Sequence, residues 1–145
     1  MSSDVDEIIR LKYRYFRHLD LKEWDAFEST LAPDVTADYG GLTFADRATL
    51  VRYMRENLGP RMVTLHQAHH PEVTVEGDEA VGRWYLEDKV IMPDFDLVLE
   101  GAAFYEDRYR RTPNGWVIAH TGYRRTYELT YPLTGNLKIG NAYGD

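Results

Sequence analysis

The amino-acid pattern changes once along the chain, near Arg61, and this change limits the possible folds more than any other feature. Before it, apolar residues recur at the spacing of one helix face, as in Ile8, Leu11, Tyr15 and Leu19. After it, long runs of Val, Ile, Tyr, Trp, Phe and Thr are separated by turn signals, which favours antiparallel strands joined by hairpins. Helices followed by a strand meander are typical of an α+β domain in which helices cover one face of a sheet.

The same patterns predict where the elements begin and end. Three helices are expected at about 3–20, 22–31 and 46–58. We expect Ala32-Pro33-Asp34 to end the second helix and Gly59-Pro60 to end the third. Turns at 76–78, 93–94 and 113–115 divide the remainder into three or four long strands. We therefore predict one domain over residues 1–145, with a core to about residue 130 and an irregular tail over 131–145.

Composition narrows the functional classes. The 145 residues suit one domain with its own core, and the aromatic fraction of 13% is far from that of a disordered chain. A net charge of −7, with no Lys/Arg run longer than a pair, argues against nucleic acid or an anionic membrane as partner. Cysteine is absent, which excludes disulfides, thiolate metal sites and cysteine nucleophiles. No apolar stretch resembles a secretory or membrane-spanning segment, so we expect a cytoplasmic protein.

Asp20 lies at the end of the first predicted helix, where two interpretations compete. It could end that helix or cap the second one, since an Asp before Lys22-Glu23-Trp24 suits a cap. Alternatively, it could face the apolar side of the first helix, where an ionised carboxylate needs a partner or a shifted pKa. The local sequence does not decide between them.

Three of the five histidines lie within residues 64–71, and histidine suits proton transfer near neutral pH. A metal site that uses His66 and His69 is disfavoured, because their odd separation on a strand points them to opposite faces. No acidic residue with a recognisable ligand spacing accompanies them. The remaining interpretations are structural or surface histidines, and a catalytic His66 that is oriented by a carboxylate.

Two adjacent arginines, Arg124 and Arg125, lie in the last predicted strand. In an unbroken strand, Trp116, Ile118 and Arg124 share one face, and Arg125 lies on the other. One arginine must therefore point to the concave side unless a bulge intervenes. Parity alone does not say which one, and both could also be solvated.

Several segments resemble the nuclear transport factor 2-like (NTF2-like) superfamily. They are Tyr15-Phe16-Arg17-His18-Leu19-Asp20 with Trp24, Thr64-Leu65-His66, and Pro71-Glu72-Val73. The chain is most similar to its SnoaL-like polyketide cyclase branch, which also contains scytalone dehydratase and bile acid 7α-dehydratase. Segments 82–88, 103–109 and 121–128 carry the similarity to bile acid 7α-dehydratase.

This resemblance implies a fold and a chemistry. The implied fold is a cystatin-like cone, in which three N-terminal helices pack on a strongly curved, mostly antiparallel sheet. The implied activity is that of a dehydratase without cofactor or metal, acting on a hydroxylated, carbonyl-activated hydrophobic substrate of steroid or polyketide type. An isomerase, a cyclase and a non-catalytic binding module are the alternatives.

The resemblance also implies site residues. The catalytic ones are Tyr15, Asp20, His66 and Arg125. Tyr39 and His69 match pocket positions, and we predict that Trp84 and Tyr105 line the same pocket. Because helices would cover only one face of an apolar sheet, we also expect a homo-oligomer, either a dimer or a trimer, packed through the other face.

Overall fold

Three helices and a six-stranded sheet make up the computed structural model, which describes residues 3–133 and 140. The helices are α1 (Asp4–Leu21), α2 (Trp24–Ser29) and α3 (Arg47–Asn57). The strands are β1 (Leu31–Tyr39), β2 (Leu42–Phe44), β3 (Val63–Glu76), β4 (Glu79–Met92), β5 (Leu97–Thr112) and β6 (Gly115–Pro132). The α+β cone predicted from the sequence is confirmed. None of the described helices is long and apolar enough to cross a membrane.

The sheet has the strand order β2-β1-β6-β5-β4-β3. Strands β3 to β6 are the four long antiparallel strands expected from the sequence, and a 3-10 turn at Pro93–Phe95 forms one of the predicted turns. The helices cover one face of the sheet, which we call the inner face; the opposite one is the outer face. Most of the predicted tail, 134–139 and 141–145, lies outside the described residues.

Strands β1 and β2 were not predicted. They lie between α2 and α3, so the helices do not all precede the sheet. The second helix stops at Ser29, before the expected Ala32-Pro33-Asp34 signal, and Pro33 lies within β1. β1 pairs in parallel with β6, and this pairing sets Tyr39 opposite Tyr123.

Helix α1 extends along the inner face of the sheet. Ser3 and Asp6 form a reciprocal capping box at its start, and acidic residues in the first turn suit the helix dipole. Asp4, near the first end, contacts Arg111 and Trp116 at the β5–β6 hairpin. Asp20, near the other end, contacts β3. The buried side of α1 consists of Ile8, Leu11, Lys12, Tyr15, Phe16 and Leu19.

Bulges break the register of the sheet and decide which side chains face inward. Tyr109 pairs with Ile118, whereas Arg108 pairs with His120, so Ala119 is an extra residue in β6. The inner-face residues of β6 are therefore Trp116, Ile118, Thr121, Tyr123 and Arg125. The alternation of an unbroken strand does not apply here, because a bulge, the exception left open by the sequence, shifts the parity halfway along β6.

The packing of α2 provides a test of the core. Phe27 is fully buried, and its ring lies 5.1 Å from that of Tyr15 and 6.0 Å from that of Trp24. We expect Phe27→Ala to lower the free energy of unfolding by about 3–5 kcal/mol, because the cavity cannot close fully. Phe95→Ala is the matched control, since Phe95 is 72% exposed and should change stability by less than about 0.5 kcal/mol. Urea denaturation of both variants measures the difference; equal losses would contradict the predicted core.

Candidate active site

Asp20 and His66 form a hydrogen-bonded pair between α1 and β3. Asp20 Oδ1 lies 2.6 Å from Nδ1 of His66, and Oδ2 accepts the backbone N–H of His66 at 2.9 Å. The hydroxyl of Thr64 also donates to Oδ1, at 2.8 Å. The interpretation of Asp20 as a helix cap is therefore wrong; α2 starts at Trp24, and its N-cap residue is Glu23, whose side chain makes no capping hydrogen bond.

This arrangement prepares His66 as a base. An ionised Asp20 can only accept, so Nδ1 of His66 is the donor and Nε2 keeps the lone pair that can take a proton. The Phe16 ring stacks on the imidazole, with centroids 5.4 Å apart and an angle of 15° between the planes. The two side chains remain partly accessible, with 12% of His66 and 21% of Asp20 exposed. The pair is therefore not fully enclosed by the protein.

Three tyrosines gather beside the pair on the inner face. The hydroxyls of Tyr15 and Tyr39 lie 2.6 Å apart, and the Tyr105 ring meets that of Tyr15 edge to face. Burial raises the pKa of Tyr15, Tyr39 and Tyr105 well above the usual value of a phenol. All three therefore stay neutral near pH 7 and can donate hydrogen bonds to an oxygen atom. The structure thus brings together three residues that the sequence predicted.

Arg125, not Arg124, is the arginine of the inner face. Its guanidinium binds both oxygens of Asp88, at 2.5 and 2.8 Å, and Nε lies 3.5 Å from Glu128. The hydrogen bonds to Asp88 raise the pKa of Arg125 further above its usual value. Arg124 lies in a recess of the outer face. Arg125 is therefore not a free cation, because its guanidinium already forms a bidentate ion pair with Asp88.

Asp88 was missed in the sequence. It lies on β4 directly opposite His66 of β3, and its side chain is 4% exposed. To reach it, Arg125 crosses β5 at Gly101, where an added Cβ would lie 2.6 Å from Nη1 of Arg125. The alternation of buried residues along β4, which includes Trp84 and Leu86, would have pointed Asp88 inward.

Two of the predicted pocket residues have other surroundings. His69 lies on the outer face, paired with Tyr85 and 3.8 Å from the carboxylate of Glu87. Its predicted place in the same pocket as His66 is therefore wrong, because the separation of three residues turns it to the other face. Trp84 does face inward, but its Nε1 donates to the Tyr109 hydroxyl at 3.0 Å.

Lys12 is a buried charge that the sequence did not reveal. It is fully buried, and Nζ lies 2.8 Å from Oδ2 of Asp107, whose side chain is also buried. Burial lowers the pKa of Lys12 below its usual value, and the Asp107 carboxylate opposes this effect. Its burial could have been predicted from its position, four residues after Ile8 and four before Phe16, which both lie on the buried side of α1.

Recesses of about 650, 680 and 500 Å³ lie on the outer face, and His120 lines all three. Charged and uncharged residues line them in similar numbers, and the recess of 680 Å³ also reaches Tyr123 and Arg125. None of the three contains Asp20 or His66. We therefore assign the candidate active site to the inner face, where the acid–base pair and the tyrosines lie. Within 3–133 and 140, no three His, Asp or Glu side chains are close enough to share a metal ion.

Residues 1–122 match the SnoaL-like domain family. The chain belongs to this family. The uncharacterized protein Rv2910c of Mycobacterium tuberculosis is 29% identical to this SnoaL-like domain over 119 residues, which are 80% of this chain and 81% of that protein. The crystal structure of Kfla4162 from Kribbella flavida superposes with a TM-score of 0.81 at 23% identity, covering 87% of this chain and 93% of that one.

A named enzyme shares the same fold. Hexachlorocyclohexane dehydrochlorinase LinA-type3 of Novosphingobium barchaimii superposes with a TM-score of 0.78 at 18% identity, covering 96% of this SnoaL-like domain and 100% of that chain. At these identities the structural likeness concerns the fold. The superfamily suggested by the sequence motifs is confirmed.

Gly101 offers a test of how the arginine reaches Asp88. In Gly101→Ala, the new methyl group would meet both Arg125 Nη1 and the backbone oxygen of Tyr127, the latter at 2.8 Å. We expect Arg125 to leave Asp88 and the free energy of unfolding to fall by about 1–3 kcal/mol. Gly59→Ala is the control, because no atom lies within 4 Å of its added Cβ. Urea denaturation and a crystal structure of the variant provide the measurements; an intact Arg125–Asp88 pair would contradict the prediction.

Proposed function

We propose that this SnoaL-like domain is a cofactor-independent lyase that eliminates water from a hydroxylated, carbonyl-activated hydrophobic substrate. The observation that carries the proposal is the 2.6 Å bond between Asp20 and Nδ1 of His66, which leaves Nε2 available as a base. The aromatic side chains of the inner face suit an apolar ring system, as in a steroid or a polyketide. The similarity to bile acid 7α-dehydratase favours a steroid. The reaction is proposed to take place in the cytoplasm.

His66 removes the proton. Its Nε2 takes a hydrogen from the carbon that the carbonyl group acidifies, and the imidazolium that forms is stabilised by the Asp20 carboxylate. Asp20 is held by two further donors, Thr64 Oγ1 and the backbone N–H of His66, so it stays in place as the charge appears. Proton transfer of this kind contributes about 10²–10⁴-fold to the rate.

Tyr15 and Tyr39 stabilise the enolate. One hydroxyl donates to the other, and the second then donates to the carbonyl oxygen, on which negative charge develops. Neutral phenols suit this role, because they offer a proton without carrying a charge that would oppose the enolate. Arg125 suits it less well, since its guanidinium already binds Asp88 at two points.

The last step releases water. The enolate re-forms the carbonyl group as the carbon–oxygen bond to the hydroxyl group breaks, and a carbon–carbon double bond results. The departing hydroxide takes a proton from the His66 imidazolium, or from Tyr15, whose phenolate is then reprotonated by the imidazolium. Where the imidazolium is the donor, His66 returns directly to its neutral form and the reaction balances without a cofactor.

A dehydrochlorinase of the same fold supports an elimination. Its name denotes the loss of hydrogen chloride, in which a hydrogen and a leaving group also depart from one substrate. An isomerase or a cyclase would use the same first proton transfer, so both are alternatives. A non-catalytic binding module is less well supported, because an apolar pocket would not need a carboxylate–imidazole pair at its wall.

The proposed base and its partner can be tested together. His66→Ala and Asp20→Asn should each lower kcat by about 10²–10⁴-fold, because each removes the oriented base. The double variant should be little worse than His66→Ala alone, since the two residues act as one unit. The measurement is the growth of conjugated absorbance on a panel of hydroxysteroids, hydroxy-ketones and their thioesters.

His69→Ala is the matched control, because His69 lies on the outer face of the same strand. It should keep the activity of the parent chain. Full activity in His66→Ala would reject the mechanism, and multiplicative losses in the double variant would give Asp20 a separate role.

We also propose that a second copy of the chain covers the outer face, in a dimer or a trimer. Large apolar side chains lie exposed there, and the rings of Tyr85 and Phe104 are 4.5 Å apart. Tyr127 extends this patch onto β6, beside Ala102 of β5. Exposed aromatic rings of this kind suit the core of an interface between two copies of the chain.

Light scattering at micromolar concentration tests the assembly. The parent chain should have the mass of a dimer or a trimer, and Phe104→Lys should lower it, because a charge would be buried at the interface. Phe95→Lys is the control, since Phe95 lies in the 3-10 turn between β4 and β5. A parent chain that is only monomeric would refute the proposal.

A further inference from the structure

Lys12 has no task in the mechanism above, although it is fully buried. Its partner Asp107 is held on β5 by two more donors, the hydroxyls of Tyr109 at 2.8 Å and Thr121 at 2.7 Å. Tyr109 in turn accepts the indole N–H of Trp84 at 3.0 Å. The position of Asp107 is thus fixed by the inner face of the sheet, and Asp107 fixes Lys12.

Two routes lead from Lys12 to the acid–base pair. The first runs through rings: Nζ lies 3.5 Å from the ring centroid of Tyr105 and 4.9 Å from that of Phe16, and Phe16 stacks on His66. The second runs through α1, which carries Asp20 eight residues further along, about 12 Å away at the helical rise. The buried Lys12–Asp107 contact is therefore connected to the position of His66 and to that of Asp20.

Stability alone does not account for this ion pair. Removing two charges from water costs free energy, and well-packed apolar residues of similar size often serve a fold as well or better. The contact is an ion pair rather than a well-aligned hydrogen bond, and the ammonium otherwise meets aromatic rings. What the pair does supply is a fixed point, because a shift of α1 along the sheet would separate two charges that are buried away from water.

A second ion pair of the first half of α1 is weaker in this respect. Asp4 binds Arg111 at the exposed end of the helix, where the side chains are 38% and 39% accessible. Exposed ion pairs of this kind hold their partners loosely and are screened by salt. The Lys12–Asp107 ion pair is instead fully buried, and it lies nearer than Asp4 to Phe16 and Asp20 along α1.

We propose that Lys12, through its ion pair with Asp107, is a positioning residue for the Asp20–His66 pair. It sets the plane of the imidazole through Phe16 and the place of the carboxylate through α1. The expected effect on kcat rests on the proposed function; the expected effect on the Asp20–His66 hydrogen bond does not.

The test compares Lys12→Met, which keeps the length of the side chain, with a control of similar stability. Val35→Ala suits this purpose, because Val35 is a fully buried residue of β1 outside the proposed site. Two quantities are measured: the low-field proton resonance of His66 Nδ1–H, which is assigned by its loss in His66→Ala, and the kinetic constants on the substrate that the panel identifies.

We expect Lys12→Met to shift or broaden the Nδ1–H resonance and to lower kcat by about 10- to 100-fold with little change in KM, as misplacement of a catalytic group does. Val35→Ala should leave both unchanged. Phe16→Leu interrupts only the route through the rings, so it should lower kcat less than Lys12→Met does.

Each outcome decides the proposal. A resonance and a kcat in Lys12→Met that match those of Val35→Ala would overturn it. If no substrate is turned over by the parent chain, the proposed function fails, and the resonance alone still decides the role of Lys12. If Lys12→Met does not fold, Lys12→Met/Asp107→Asn removes both charges together, and an unchanged resonance in that variant would equally overturn the proposal.

Discussion

The carboxylate of Asp20 joins the first helix to the strand that carries the proposed base, and most of the candidate site depends on this connection. It accepts three hydrogen bonds from two residues of β3, Thr64 and His66. These hydrogen bonds offset the free energy that is lost when the carboxylate is partly removed from water. Together with the buried Lys12–Asp107 pair, the carboxylate attaches α1 to the sheet on both sides of Tyr15 and Phe16.

Much of the fold could be predicted, because periodicity reports directly on which face is buried. The helical stripe around Tyr15 and the long strand runs after Arg61 gave the right class and the right four long strands. β1 escaped notice because Pro33 and a register shift interrupt it, and because its parallel pairing with β6 leaves no mark on the local sequence. Tertiary pairing, not local preference, makes that strand.

The site was predicted less completely, and the reasons are physical. His66 was predicted because histidine suits proton transfer, and Asp20 because it lies on the apolar side of the first helix. Lys12 and Asp88 were not predicted, because Lys and Asp usually lie on the surface. Each is buried only because a partner of opposite charge, distant in sequence, meets it inside the cone. Arg125 was chosen over Arg124 from the family resemblance. The alternation of side chains along the strand could not identify it, because the bulge at Ala119 shifts which residues face inward.

The sheet separates two surfaces that share the same strands. Along β4, Trp84 faces the interior and Tyr85 faces outward, and the pattern repeats with Leu86 and Glu87. Neighbouring positions of the sequence therefore contribute to different surfaces, one to the interior and the next to the exterior. A substitution at one position can change the interior while the next side chain keeps its place on the exterior, and the reverse also holds. The two faces of the sheet can thus vary separately, although the same strands form both.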